Sequence, residues 1–219
     1  MIKGEPSLPL QRETSEKCDK LIHEQAVKRI CRYLKGTSDK GMILRPDESR
    51  GVDCYVDASF ASEFDKSRAL DPACVLSRTG YAVFYKGCPV IWVSKMQTEI
   101  ALSTTEAEYI ALSQAMRDVI PFMNVLSELQ SFYSTKTSEP KILCRLFEDN
   151  NGALTMAKEE KYRPRTKHIA LKYHHFRSFV RDKKIAILPI DTKEQIADQF
   201  TKALDIQTFQ RLRYKLMGW

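Results

Sequence analysis

Residues 52–60, VDCYVDASF, and residues 79–94, TGYAVFYKGCPVIWVS, decide the fold class. The first stretch is rich in Val, Tyr and Phe and alternates in part, as a strand does. The second divides at Lys86-Gly87 into two similar runs, Thr79–Tyr85 and Cys88–Ser94, which read as a hairpin closed by a tight turn. Ile100–Leu102 reads as a short apolar extension of that edge, and Ala61–Arg78 as a polar insert. Downstream the period changes. Ser103–Ile120 has helical composition, capped by Ser103 or Thr104 with Glu106 or Glu108 at capping-box distance. Pro121 kinks or interrupts this helix, and Phe122–Leu129 continues it. Ser131–Pro140 reads as a loop, Ile142–Phe147 as a strand and Asn151–Lys158 as a short helix. Lys167–Asp182 reads as a longer helix, with Ile169, Tyr173, Phe176 and Val180 on one stripe. A strand at Ile185–Ile190, a helix at Thr192–Ala203 and a terminal helix at Gln207–Leu216 follow. From residue 52 the order is β-β-β-α-β-α-α-β-α: a hairpin-extended sheet followed by crossovers, hence an α/β domain with a mixed sheet.

Upstream, residues 1–17 are polar, contain Pro6 and Pro9, and read as a flexible lead-in. Leu21, Ile22, Ala26, Val27, Ile30 and Leu34 give residues 18–35 a helical spacing that ends at Gly36. Residues 37–51 are a turn-rich connection. Two parts follow: 1–50, a lead-in and helix, and 51–219, the α/β domain.

Composition narrows the function classes. With 43% hydrophobic residues among 219, the chain is not mostly disordered. No run approaches ~18 apolar residues, so no transmembrane helix is expected. The opening MIKGEPSLPLQRE lacks the apolar core of a secretory signal. Six cysteines lie far apart with no CxxC pair, the spacing of neither a zinc site nor a disulfide framework, so a reduced intracellular protein is expected. The net charge of +7 points to a polyanionic partner, nucleic acid before membrane.

Three carboxylates stand where apolar residues belong. Asp57 interrupts the first strand, and Asp149 ends the fourth. Glu108 heads the stripe Glu108, Ala111, Leu112, Ala115, Val119, the buried face of an amphipathic helix. Glu106 shares the other face with Tyr109, Ser113 and Arg117 and is expected to face solvent. Taken singly, each of the three has a plainer role: Asp57 and Asp149 as turn or cap residues, Glu108 as the rim of the stripe. Together, at the carboxyl ends of adjacent strands, they would repel one another unless divalent cations lay between them. All-oxygen ligation selects Mg²⁺ or Mn²⁺, and two such ions suit in-line phosphodiester hydrolysis.

Residues 52–204 resemble the ribonuclease H domain of copia-type LTR retrotransposon polyproteins. The resemblance is carried by Ser77-Arg78-Thr79-Gly80-Tyr81, Trp92-Val93-Ser94-Lys95-Met96-Gln97, the run Ala101–Leu112 (ALSTTEAEYIAL), Asp149-Asn150-Asn151-Gly152-Ala153-Leu154, Arg165-Thr166-Lys167-His168-Ile169 and Ile196-Ala197-Asp198-Gln199-Phe200-Thr201-Lys202. The helix at 18–35, with His23-Glu24-Gln25-Ala26, is similar to the end of the preceding reverse transcriptase. The resemblance implies a ribonuclease H-like fold: a mixed five-stranded sheet in β-β-β-α-β-α-β-α order, flanked by helices, with an N-terminal helical appendage. It implies hydrolysis of the RNA strand of RNA–DNA hybrids with two Mg²⁺ ions, Mn²⁺ being a substitute, and no small-molecule cofactor. Asp57 then matches the first-strand Asp, Asp149 the Asp after the fourth strand, and Glu108 the helix Glu, in the pattern Glu108-Tyr109-Ile110-Ala111, with Glu106 as runner-up. Asp198 enters as the fourth carboxylate on resemblance alone.

For substrate, the basic run with Lys161, Arg163, Arg165 and Lys167 is suited to phosphates, and His168 at the following helix start caps that helix or contacts phosphate. Ser59, Thr105, Asn150 and Asn151 lie beside the acidic residues, where 2′-hydroxyls could be bound. Gln97 is placed with them by resemblance. The expected partners are an RNA–DNA hybrid and the reverse transcriptase domain of the same polyprotein, not a membrane. The expected location is a cytoplasmic retrotransposon particle or the nucleus. The competing expectation is a decayed or domesticated element fragment that only binds nucleic acid.

Overall fold

The computed structural model describes residues 9–61, 64, 66, 72–133, 143–158 and 174–219. The chain forms two compact units, Met1–Gly41 and Met42–Trp219. In the first, helix α1 spans Pro9–Gly36, so the expected lead-in is already helical at Pro9, a residue whose fixed φ suits a first helical turn. Leu21, Ile22, Val27, Ile30 and Leu34 of α1 are exposed.

The second unit is built on five strands: β1 Val52–Ser59, β2 Arg78–Tyr85, β3 Cys88–Met96, β4 Cys144–Glu148 and β5 Ile185–Pro189. Their order across the sheet is β3-β2-β1-β4-β5. β1, β2 and β3 pair antiparallel, whereas β4 runs parallel to β1 and β5 parallel to β4. Parallel neighbours need crossovers. Helix α2, Thr104–Tyr133, lies between β3 and β4 in the chain; α3, Asn151–Lys158, and α4, Arg177–Arg181, lie between β4 and β5. A terminal helix α5, Ile206–Met217, follows. This strand order and these directions make the unit an α/β ribonuclease H-like fold.

Alternation along β1 sends its residues to two different cores. Val52, Cys54, Val56 and Ala58 pack with Ala107, Ile110, Ala111, Leu112 and Ala115 of α2 and with Leu146 and Ile187 of the parallel strands. Tyr55, on the opposite face, joins Ala82, Phe84, Ile196, Phe200 and Leu216. On that second face, buried Asp53 sits opposite Arg145 in the β1–β4 register and is gripped by it, Nε to Oδ1 at 2.7 Å and Nη2 to Oδ2 at 2.9 Å. Arg50 adds a 2.7 Å bond to Asp53 Oδ2, and Tyr55 stacks on Phe147 with centroids 4.8 Å apart. β1 is thus covered on both faces and paired on both edges.

Three expectations need correction. Ile100–Leu102 is not strand; Leu102 is exposed, and its N–H donates to Glu106 Oε2 at the start of α2. α2 runs through Pro121 to Tyr133, and Pro121 lies at its exposed surface. The helix expected over Thr192–Ala203 is two short 3-10 turns, Thr192–Glu194 and Ile196–Phe200, split by Gln195 in extended conformation (ψ 102°). The cause is Gln195 itself. Its side chain is fully buried and donates Nε2 to the Val56 carbonyl at 2.8 Å, which pulls the backbone out of helical register. The expected helix at 167–182 is described from 174, as a 3-10 turn His174–Phe176 leading into α4; its first part lies outside the described residues, as do residues 62, 63, 65 and 67–71 of the insert.

Gly80 is where the second 3-10 turn meets β2. A Cβ there would lie 2.6 Å from Thr201 Cγ2 and 2.8 Å from Phe200 Cβ. Gly80→Ala is therefore expected to cost about 1–3 kcal/mol through overpacking, measured by urea unfolding.

Candidate metal centre

Asp57 is directed by the β1 alternation to the face that carries the segment 195–202. It is 1% exposed, paired across the sheet with Gly80. Thr201 Oγ1 donates to Asp57 Oδ2. Lys202 Nζ lies 3.4 Å from Asp57 Oδ1 and 3.0 Å from Asp198 Oδ1, bridging two buried carboxylates. The Gln195 anchor on Val56 is what holds Asp198 against β1, because Asp198 stands three residues after it in the same turn.

β4 contributes from its last residue and the one after. Cys144, Leu146 and Glu148 alternate onto the α2 face, so Glu148 is fully buried beneath the start of α2. Asp149 leaves the strand half-buried, and Thr192 Oγ1 donates to its Oδ2 at 2.8 Å. Asn150 Oδ1 accepts the Ala153 N–H at 3.0 Å and so caps α3. The N-termini of α2 and α3 approach closely because residue 152 is glycine; a Cβ there would lie 2.6 Å from Thr105 Oγ1. That approach brings Glu108, 6% exposed, down onto Glu148 and Asp149.

The result is two carboxylate triads with one shared member. Asp57, Asp149 and Asp198 each offer an oxygen within 4.8 Å of the others, and so do Glu108, Glu148 and Asp149. Oε2 of Glu108 and Oε2 of Glu148 are buried with no hydrogen-bond partner. Burial pushes Glu108 well above the usual carboxylate range, with Glu148, Asp57 and Asp149 adding to it. Burial does the same to Glu148, against the opposing Asn150 N–H. Asp57 is raised by burial despite Lys202 and Thr201. Asp198 is pushed up to about 6 by burial and by Asp57. Lys202 is lowered by its own burial but more strongly raised by Asp57 and Asp198, so it stays charged. Buried, under-satisfied carboxylate oxygens at this density are the donor set of a hard divalent cation. The residues are consistent with binding a divalent cation.

The expected site residues that lie among the described residues have definite places. Asp57, Glu108, Asp149 and Asp198 are brought together. Glu106 is not at the surface, as its face suggested; it is buried, and its Oε2 accepts the Leu102 N–H at 2.8 Å while its own N–H donates to Ser103 Oγ at 3.1 Å. These two bonds cap the start of α2 and occupy Glu106 there. Gln97 is also corrected: it is 1% exposed, and its Nε2 is spent on Thr79 Oγ1 at 3.1 Å and the Ala107 carbonyl at 2.9 Å, so it ties β3 and β2 to α2 and does not reach a duplex. Ser59 is buried at the end of β1, Thr105 and Asn150 are half-buried at the rim, and Asn151 is exposed. Lys161, Arg163, Arg165, Lys167 and His168 lie outside the described residues. Sequence reasoning missed Glu148, Gln195, Thr201 and Lys202. Glu148 had a signal, the alternation of Cys144, Leu146 and Glu148. Beside the carboxylates, a groove of about 420 Å³ is lined by Arg78, Ser94, Gln199, Phe200, Thr201 and Lys202.

No protein-family model matches the chain. It is similar to the retrovirus-related Pol polyprotein from transposon TNT 1-94 of Nicotiana tabacum, 34% identical over 188 residues, 86% of this chain and 13% of the relative. It is similar to that from transposon RE1 of Arabidopsis thaliana, 32% identical over 194 residues, 89% of this chain and 12% of the relative. The chain thus spans about an eighth of these relatives. Among solved structures it is similar to LC11-RNase H1, isolated from compost, at 17% identity over 69% of this chain and 92% of that one, with a TM-score of 0.45. The same protein in complex with an RNA/DNA hybrid gives 15% identity, 68% and 93% coverage, and a TM-score of 0.44. The polyprotein relatives and the strand order described above both fit a ribonuclease H domain of a copia-type retrotransposon polyprotein.

A carboxyl whose folded-state pKa is raised stabilises the fold while protonated. For Asp198 that contribution is complete below its ordinary value of 3.8 and is lost as pH rises through about 6. Without divalent cations, wild type is therefore expected to lose thermal stability relative to Asp198→Asn as pH rises from about 4 to 7. Mg²⁺ should restore wild type at pH 7 and do little at pH 4. Melting curves of both proteins across that range, in chelator and in Mg²⁺, check this.

Proposed function

We propose that this chain is a metal-dependent endonuclease that hydrolyses the RNA strand of RNA–DNA hybrids during retrotransposon reverse transcription. The observation that carries the reading is the gathering of Asp57, Asp149 and Asp198 in one triad and of Glu108 with Asp149 in an adjoining one, near the carboxyl ends of β1 and β4. Nothing in packing requires charges there, and each costs several kcal/mol when buried unpaired. The polyprotein relatives support the substrate class.

Asp57, Asp149 and Asp198 would hold one Mg²⁺, and Glu108 with Asp149 would hold a second. When bound, such a pair of ions supplies an activated water and charge stabilisation for the leaving oxygen. The chain's own groups keep the ligands in place. Thr201 and Lys202 fix both oxygens of Asp57, and Thr192 fixes Asp149. Lys202 offsets the charge of Asp57 and Asp198, and its ammonium faces the groove that Arg78 also lines. Phosphates of a duplex laid along that groove would meet two cationic side chains before reaching the carboxylates. The basic run at 158–167 would add phosphate contacts, and the reverse transcriptase domain of the same polyprotein would hold the hybrid further along.

The test is cleavage of a labelled RNA–DNA hybrid with and without Mg²⁺. Cutting of the RNA strand alone, only with metal, is expected. Asp57→Asn keeps the Thr201 bond and the fold, checked by circular dichroism, and should lower the rate at least about 100-fold. Glu108→Gln should lose as much, whereas Glu106→Gln should lose less than about 10-fold, because it weakens only a helix cap worth about 1 kcal/mol. Turnover retained in Asp57→Asn overturns the site. Salt-sensitive hybrid binding without cleavage would favour a binding-only fragment.

A further inference from the structure

We propose that Glu148 is itself a metal ligand: with Glu108 and Asp149 it forms a three-carboxylate cation subsite, joined through Asp149 to the Asp57–Asp149–Asp198 subsite. The inference rests on the metal-dependent reading above and extends it to a fifth carboxylate. Glu148 is the last residue of β4 and is 0% exposed. Its Oε1 accepts the Asn150 N–H at 3.0 Å, which orients the carboxylate, while Oε2 is buried without a partner. Oε2 of Glu108 is orphaned in the same way. One oxygen from each of Glu108, Glu148 and Asp149 lies within 4.8 Å of the other two.

A structural acid at this position would be expected to satisfy both oxygens from the protein, as Asp53 does with Arg50 and Arg145. Glu148 does not, and no Lys or Arg is paired with it among the described residues. Lys202, the cation of the centre, is committed to Asp57 and Asp198, on the other face of the sheet. Among the described residues, the α2 side of the centre therefore gathers three carboxylates with no paired Lys or Arg. Two divalent ions and the Lys202 ammonium balance five ionised carboxylates, which gives the buried centre no net charge. The two subsites draw on different faces of the sheet, and Asp149, just beyond the end of β4, serves both.

Titration of the full chain with Mn²⁺ alone, followed by the paramagnetic signal of the free ion, tests this without substrate or turnover. Wild type is expected to bind two ions. Glu148→Gln should lose one of them, by at least about 10-fold in affinity, and keep the other. Asp198→Asn should lose the opposite ion, and Glu148→Asp, which restores a carboxylate, should recover part of the loss. Circular dichroism in chelator reports folding, and if Glu148→Gln does not fold, Glu148→Asp decides by itself: a weakened single ion supports the subsite, and two unchanged ions overturn it. Two ions at wild-type affinity in Glu148→Gln make Glu148 a buried structural acid and overturn the inference while leaving the metal centre standing. Wild type that binds no Mn²⁺ overturns both.

Discussion

Five carboxylates, most of them buried and grouped as two triads that share Asp149, form the constraint that the rest of this unit answers to. Water would screen such charges; a buried site cannot. Protons or cations must offset the repulsion between them. The strands end there, two helices begin there, and a lysine is committed to one side of it. The positive ends of α2 and α3 contribute a modest favourable field.

The supports are mostly small and local. Gln195 breaks what would otherwise be a regular helix and ties its segment to β1 through the Val56 carbonyl. With the bonds of Thr201 and Lys202 to Asp57, that anchor places Asp198 beside Asp57. Gly80 lets the same segment lie against β2, and Gly152 lets α3 start against α2. Earlier on the same face of β1, the Asp53–Arg145 pair fixes the β1–β4 register, and a one-residue slip there would send Asp57 to the opposite face.

Much of this was legible beforehand. The alternation in 52–60 and 79–94 and the helical stripe from Glu108 to Val119 depend on local periodicity, and the strands and helix formed where those patterns lie. Glu108 was separated from Glu106 by the same stripe. Its companion escaped notice because a Glu next to an Asp at a strand end reads as a turn, although counting by twos from Cys144 puts Glu148 inward. Glu106 was read as solvent-facing because periodicity does not register a side chain folding back onto the N–H groups before its own helix. The segment 192–203 departs from its expected helix for a related reason. Its composition permits a helix, and only the buried amide of Gln195, bonded 139 positions away, explains why none forms.

The sequence by itself determined the strands, the long helix, the basic balance and the positions of Asp57, Glu108 and Asp149, because these follow from side-chain period and composition along a few neighbouring residues. Tertiary structure alone decided that Glu148 lies in the centre with an unpartnered oxygen, that Lys202 spans Asp57 and Asp198, that Gln97 is spent inside the core, and that two triads share Asp149. Those facts depend on distances between elements far apart in the chain. Such distances arise from sheet register, from close approaches at glycine and from buried side-chain hydrogen bonds, none of which leaves a periodic trace in the residues that make them.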